Sequence, residues 1–366
     1  MNPTYDKIHL KFKLNGNPFS REDLQEVAYS FVKEGKPFEK SVGNFLMDWL
    51  DHHDFIEVTT SGSTSRPKRV KVDKQYMVNS ALASGDFFGL NPGDTALHAL
   101  PADFIAGKMM LVRAMILGLE IDLVEPGSKP LKKTEESYDF SALTPMQLYN
   151  SLDDLDRIKK LIVGGAPVSR ELIESIQDKR TMVYETYGMT ETVTHIAARQ
   201  LNNFKNAKEV EQSYFRVLPN ISIKTDQRGC LVIDAPHITD ETVVTNDLVS
   251  IVDNNQFEWL GRYDNMINSG GVKLIPELIE EKFAQSLSNR FFVCGMKDKE
   301  LGEKLVMVIE DDPAKEDDYW DTLKKVKGLG KYEMPKSLLF TDRFEETENG
   351  KVIRHATLEK VQVGSR

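Results

Sequence analysis

Between Thr95 and Thr192 short apolar runs of strand character alternate with runs of helical length, and this alternation restricts the fold more than any other feature of the sequence. Residues 95–100 read as a strand, 108–117 as an apolar helix and 120–124 as the next strand. Residues 140–143 and 161–163 are short and apolar, 168–176 return to helix, and 183–185 form a further strand. Strands joined through helices run parallel, and a parallel sheet needs helices on its faces. The expected class is therefore α/β, with a mostly parallel, helix-covered sheet in a large N-terminal unit. Ligands in such sheets bind where loops leave the carboxyl ends of strands. The loops around Ser63 and Gly164 are expected there.

The first of these loops follows a strand at 55–58 and reads Thr59-Thr60-Ser61-Gly62-Ser63-Thr64-Ser65-Arg66-Pro67-Lys68. Small hydroxylated residues and Gly62 let backbone approach a polyphosphate, while Arg66 and Lys68 supply charge-assisted bonds. A plain surface turn has the same composition. Gly164-Gly165-Ala166-Pro167 is either a turn or bare backbone on which a planar ring can lie. Tyr187-Gly188-Met189-Thr190-Glu191-Thr192 offers an aromatic for stacking, hydroxyls for phosphate oxygens and a carboxylate for Mg²⁺; packing and helix-start roles would use the same residues. Asp247, in Thr245-Asn246-Asp247, suits a diol or a turn.

The flanks complete the organisation. Before the loop, 8–14 read as an irregular strand, and Leu24, Val27, Ala28 and Phe31, then Val42, Phe45, Leu46 and Leu50, mark two helix faces; after it, 71–88 read as a helix. Beyond Leu201, runs at 228–233 and 255–260 read as hairpin pieces of an antiparallel appendage to the main sheet. After Gly261-Arg262-Tyr263-Asp264 the pattern restarts with helix 277–284, strands 291–294 and 304–309, and helix 319–326. The expected division is 1–263, a large domain, and 264–366, a small α+β domain.

At 366 residues, with 40% hydrophobic and 28% charged residues, the composition is that of a globular protein of more than one domain. A net charge of −10 argues against a general nucleic-acid or anionic-membrane binder. Two cysteines give no disulfide framework, and no apolar run is long enough to span a bilayer. A cytoplasmic location is the expectation. Oligomeric state is not legible.

Taken together these segments resemble, in order along the chain, the adenylate-forming superfamily of acyl- and aryl-CoA synthetases, luciferases and peptide-synthetase adenylation domains. The run from Ser61 to Lys68 resembles its phosphate loop, Gly164-Gly165-Ala166-Pro167 its adenine-side turn, and Tyr187-Gly188-Met189-Thr190-Glu191-Thr192 its Y-G-x-T-E signature. Thr245-Asn246-Asp247 is similar to T-G-D, Gly261-Arg262-Tyr263-Asp264 to G-R-x-D, and Asn349-Gly350-Lys351 to the closing N-G-K. Within the superfamily, the segments 161–168 and 183–192 and the compact length look most like the o-succinylbenzoate-CoA ligase branch.

The resemblance implies an ATP-dependent, AMP-forming ligase that adenylates a carboxylic acid and passes the acyl group to CoA, with Mg²⁺ as cofactor. It implies that Ser61, Gly62, Ser63, Thr64 and Lys68 bind phosphates, that Gly164, Gly165, Ala166, Tyr187 and Gly188 bind adenine, and that Asp247 with Arg262 binds ribose. Thr190 would touch phosphate, Glu191 would hold Mg²⁺, and Lys351 would be the adenylation lysine. Asp264 would be the hinge of a mobile small domain, whose Gly270 and Gly271 would help it close over CoA. Departures from the pattern are a short region before the phosphate loop, Phe104 where many relatives carry histidine, Asn246 in place of glycine and Glu345 in place of proline. The competing class is a ligand-binding protein on a decayed synthetase scaffold; the retained Glu191, Asp247, Arg262 and Lys351 speak against decay. Thr194, His195 and Lys108 are candidates for pocket polarity.

Overall fold

The computed structural model describes residues 3–60, 68–204, 213–346 and 352–364. The phosphate-loop residues Ser61, Gly62, Ser63 and Thr64, and the lysine Lys351, lie outside the described residues, as does the side chain of Lys68.

Among the described residues a 13-stranded sheet runs through the large unit, in the order Ser222–Thr225, Cys230–Asp234, Val243–Asp253, Gln256–Arg262, Phe215–Val217, His195–Gln200, Met182–Gly188, Ile158–Val163, Tyr138–Leu143, Thr95–His98, Glu120–Leu123, Lys13–Leu14 and Asn17–Pro18. From Met182–Gly188 to Lys13–Leu14 neighbouring strands are parallel. From Met182–Gly188 toward Ser222–Thr225 they are antiparallel. The α/β class and the antiparallel appendage expected from the sequence are both present, and the appendage continues the same sheet.

Packing explains the parallel half. Helix Ile105–Leu117 is mostly apolar and buried from Met109 to Ile116, because it packs between the sheet and the helix Lys74–Phe88. Phe45, Trp49, Met77, Phe140 and Ile196 belong to the same core. Leu97, Leu148, Leu161, Val183 and Leu201 belong to a separate core cluster.

One expectation fails. The strand before the phosphate loop, Phe55–Thr60, does not join the parallel sheet; it pairs antiparallel with Lys68–Asp73 in a two-stranded sheet of its own. Its pattern gives the reason: Ile56 and Val58 are buried while Glu57 is exposed, which suits a ribbon solvated on one face rather than a strand covered on both. The following helix accordingly begins at Lys74 instead of 71, with the Asp73 carboxylate accepting from the backbone N–H groups of Gln75 and Tyr76.

Past the single turn Tyr263–Asn265 the chain builds a second, five-stranded sheet from Ile267–Ser269, Val272–Leu274, Phe291–Asp298, Gly302–Glu310 and Ser337–Thr341. It has its own core, with Ile279, Phe283, Val293, Met307 and Leu323. Among the described residues no helix is long and apolar enough to cross a membrane.

Candidate functional site

The strand Ile158–Val163 ends at Gly164, whose N–H donates to Leu143 O at 3.3 Å. A Cβ on Gly164 would meet Thr186 Oγ1, and Gly165 has φ +88 with nothing within 4 Å of a Cβ position. The two glycines and the half-buried Ala166 thus present bare backbone beside the neighbouring strand Met182–Gly188, held by Thr186 Oγ1 donating to Val163 O. Below them the Glu185 carboxylate accepts from Val168 N–H at 3.2 Å and Arg199 Nε at 2.6 Å.

Tyr187 is fixed on three sides. Its ring meets Phe257 edge-on at 5.3 Å and Phe215 at 5.8 Å, and its hydroxyl donates to Asp247 Oδ2 at 2.7 Å. Burial, and then the Asp247 carboxylate, push its hydroxyl pKa well above the ordinary tyrosine range, so it stays a donor. Asp247 is 5% exposed, and its Oδ1 accepts from Trp259 Nε1 at 3.2 Å and from Arg262 at 3.4 Å. The other arm of the Arg262 fork donates to Asp264 Oδ2 at 3.2 Å. Asn246 Nδ2 also reaches Asp264, and Arg228 donates to Asn246 Oδ1 at 2.8 Å. An aromatic ring, a buried carboxylate and the chain turn at Asp264 therefore share one hydrogen-bonded cluster.

Gly188 marks the end of the strand, where a Cβ would collide with the backbone of Thr194 and His195. The next turn, Thr190–Thr192, is pinned by the buried Thr192 hydroxyl between Met189 and Thr194. Val193 closes it at φ 63, a costly conformation for a β-branched residue. This turn leaves Thr190 half-buried and Glu191 exposed. Among the described residues no group of three or more His, Cys, Asp or Glu is arranged to hold a metal ion. A lone exposed carboxylate fits Mg²⁺, which takes one or two protein carboxylates and completes its shell with water and substrate phosphates.

Gly270 and Gly271, both at positive φ, form the hairpin turn between Ile267–Ser269 and Val272–Leu274, tied to Leu301 O at 2.8 Å. Their neighbours belong to the second sheet, apart from the Tyr187–Asp247 cluster.

Of the residues considered for pocket polarity, Lys108 donates to Ala102 O at 2.6 Å and Thr194 N–H to Thr192 O at 2.6 Å. His195 is buried beside a residue the sequence reading missed. Arg113, on the helix Ile105–Leu117, is 1% exposed; its Nε has no partner among the described residues, and its NH2 lies 3.4 Å from His195 Nδ1. Burial lowers its pKa, to about 10, and no carboxylate among the described residues opposes it. The signal was present: a lone arginine in the apolar run Met109-Met110-Leu111-Val112-Arg113-Ala114-Met115. Trp259 was also missed, since an indole in a hairpin reads as packing.

Known proteins resemble this chain in sequence and in fold. Residues 24–235 match the family model described as AMP-binding enzyme. The chain is 27% identical over 331 residues to a 2-succinylbenzoate–CoA ligase of Bacillus licheniformis, covering 81% of this chain and 68% of that protein. A crystal structure of an acyl-CoA synthetase (AMP-forming)/AMP-acid ligase II-like protein from Dyadobacter fermentans superposes with TM-score 0.61 at 36% identity, covering 92% of this chain and 98% of the other. The o-succinylbenzoate CoA synthetase of Bacillus subtilis, in complex with its acyl-adenylate intermediate, superposes with TM-score 0.71 at 22% identity over 82% of this chain and 68% of the other, a likeness of fold.

Proposed function

This chain belongs to the AMP-binding enzyme family, and from that premise we propose an ATP-dependent, AMP-forming ligase that joins an aromatic dicarboxylic acid, o-succinylbenzoate, to CoA. In the first half-reaction a carboxylate oxygen of the acid attacks the α-phosphorus of ATP. The bond from that phosphorus to its bridging oxygen breaks, and pyrophosphate leaves. In the second the CoA sulfur attacks the acyl carbon, the thiol proton passes to solvent and AMP departs with the bonding electrons.

The residues divide this work by chemistry. Bare backbone at Gly164 and Gly165 and the wedged ring of Tyr187 give adenine two flat surfaces. Asp247 offers the ribose hydroxyls a buried carboxylate already oriented by Trp259 and Arg262. Thr190 and Glu191 face the phosphates, where Mg²⁺ bound at Glu191 would neutralise charge. Lys351 is assigned the same task at the departing pyrophosphate, and such fixed charges stabilise a transition state without reorganisation. Asp264 is assigned the hinge, and 264–366 the mobile domain.

Arg113 carries the choice of acid. A buried guanidinium without a counter-ion costs stability. An acid with a second carboxylate supplies that counter-ion on binding. The relatives named for 2-succinylbenzoate support the same class. The test is a panel of mono- and dicarboxylic acids scored for CoA thioester by mass, with Arg113→Leu alongside. The expected result is thioester from o-succinylbenzoate, with the variant losing about 10-fold or more in kcat/KM for that acid, as for a charge-assisted bond. A preference for monocarboxylates that the substitution leaves unchanged would contradict the assignment of the acid.

A further inference from the structure

His195 is a buried imidazole that none of the steps above uses. Two hydrogen bonds hold it and a third fixes its partner: Arg113 NH2 lies 3.4 Å from Nδ1, Ser84 Oγ lies 3.2 Å from Nε2, and Ser84 Oγ lies 2.9 Å from Ser80 O. A guanidinium can only donate, so Nδ1 is the acceptor and the ring proton sits on Nε2. That proton goes to Ser84 Oγ, whose own proton goes to the Ser80 carbonyl. The series runs in one direction with a single arrangement of protons. Burial, reinforced by the Arg113 cation, holds the His195 pKa well below its ordinary value, so the ring remains the neutral acceptor that the arginine requires.

The position of this series ties it to the site. His195 stands opposite Gly188 in the antiparallel pairing of His195–Gln200 with Met182–Gly188, next to Tyr187. Its ring also meets Phe88 edge-on at 5.9 Å, and Phe88 in turn meets Tyr184 at 5.3 Å. Helix Lys74–Phe88 supplies Ser84, helix Ile105–Leu117 supplies Arg113, and the strand supplies His195, so three elements converge on one guanidinium. One edge of that guanidinium is held by the imidazole, while Nε has no partner among the described residues.

We propose that His195 and Ser84 form a fixed-tautomer bracket that aims the Arg113 guanidinium at the second carboxylate of the acid, making His195 a positioning residue for acid selectivity. The proposal rests on the reading of Arg113 given above. Selectivity is the quantity it controls. A long side chain buried without its bracket can turn away from the acid, whereas the nucleotide contacts, made from other residues, are untouched.

The experiment compares kcat/KM for o-succinylbenzoate with that for 4-oxo-4-phenylbutanoate, which keeps the acid to be adenylated and lacks the ring carboxylate. His195→Leu is expected to reduce the ratio of the two by about 10-fold, the scale of a lost bond to a charged group, with the KM for ATP unchanged. His195→Asn, whose side-chain oxygen can stand in for Nδ1, is expected to recover most of the ratio. Should His195→Leu fail to fold, Ser84→Ala carries the same test, with a smaller fall. If Arg113→Leu collapses the ratio and the His195 and Ser84 variants leave it intact, the bracket is refuted and the proposed acid class stands. Loss of activity toward both acids in equal measure would also refute it, as the mark of a structural role alone. No change in the ratio with Arg113→Leu would overturn the reading of Arg113 and the bracket together.

Discussion

Three side chains converge on the carboxylate of Asp247: the hydroxyl comes from the strand Met182–Gly188, and the indole and guanidinium both come from Gln256–Arg262. Removing it therefore strands two half-buried donors as well as deleting the proposed ligand for ribose. We expect Asp247→Ala to weaken ATP binding by about 10- to 100-fold, the loss of one or two charge-assisted bonds, with a smaller effect on the acid. Calorimetric titration with ATP measures it; an unchanged affinity would leave Asp247 a purely structural residue of the strand Val243–Asp253. Asp247, Tyr187 and Arg262 were legible in the sequence because each sits inside a short motif whose order along the chain is informative. Arg113 and Trp259 were not, because what distinguishes them is a missing counter-ion and a single hydrogen bond, and neither exists until distant segments pack.

At the scale of elements, the first helix of the second sheet's unit, Pro276–Ala284, carries Glu277 and Glu280, and Arg354 bonds to both. Burial raises the Glu280 pKa to about 7 from 4.5, against the opposing pull of Arg354. The folded value lies above the unfolded one, so the folded chain binds the extra proton between them. Stability from this group is accordingly full below about 4.5 and declines as the pH rises to about 7. Glu280→Gln, which cannot ionise, should flatten that part of the profile of thermal midpoint against pH. Parallel profiles for variant and parent would contradict the assignment. A second prediction concerns the strand end at Gly188, where a methyl group has only the backbone of Thr194 and His195 to displace. Gly188→Ala should lower the thermal midpoint and reduce adenylation, read by melting and by pyrophosphate release; wild-type values for both would show that the turn adapts freely. The strands of the parallel half were legible from their apolar runs. The separate ribbon Phe55–Thr60 with Lys68–Asp73 was not, because a short strand before a glycine-containing loop reads alike in either sheet, and only the partner distinguishes them.

For the whole molecule, a large sheet holding the Tyr187–Asp247 cluster is joined to a second sheet with its own core through the turn Tyr263–Asn265. Asp264 is exposed and bonded to Arg262 and Asn246, at the point where a rotation has to be absorbed by a few dihedrals. Proline there fixes φ near about −65°. Asp264→Pro is expected to leave adenylate formation and remove CoA transfer, measured by single-turnover assays. Normal transfer from a supplied acyl-adenylate would place the hinge elsewhere. Lys351→Ala should do the opposite, crippling adenylation and sparing transfer, and equal loss in both steps would contradict a two-conformation cycle. The central claim is acid activation by adenylation, and the most direct test is pyrophosphate release by the unaltered protein with ATP and Mg²⁺. The expected release depends on o-succinylbenzoate, yields AMP and is followed by thioester when CoA is added. ATP cleavage to ADP, or no acid-dependent pyrophosphate from o-succinylbenzoate or any other acid in the panel, would contradict it.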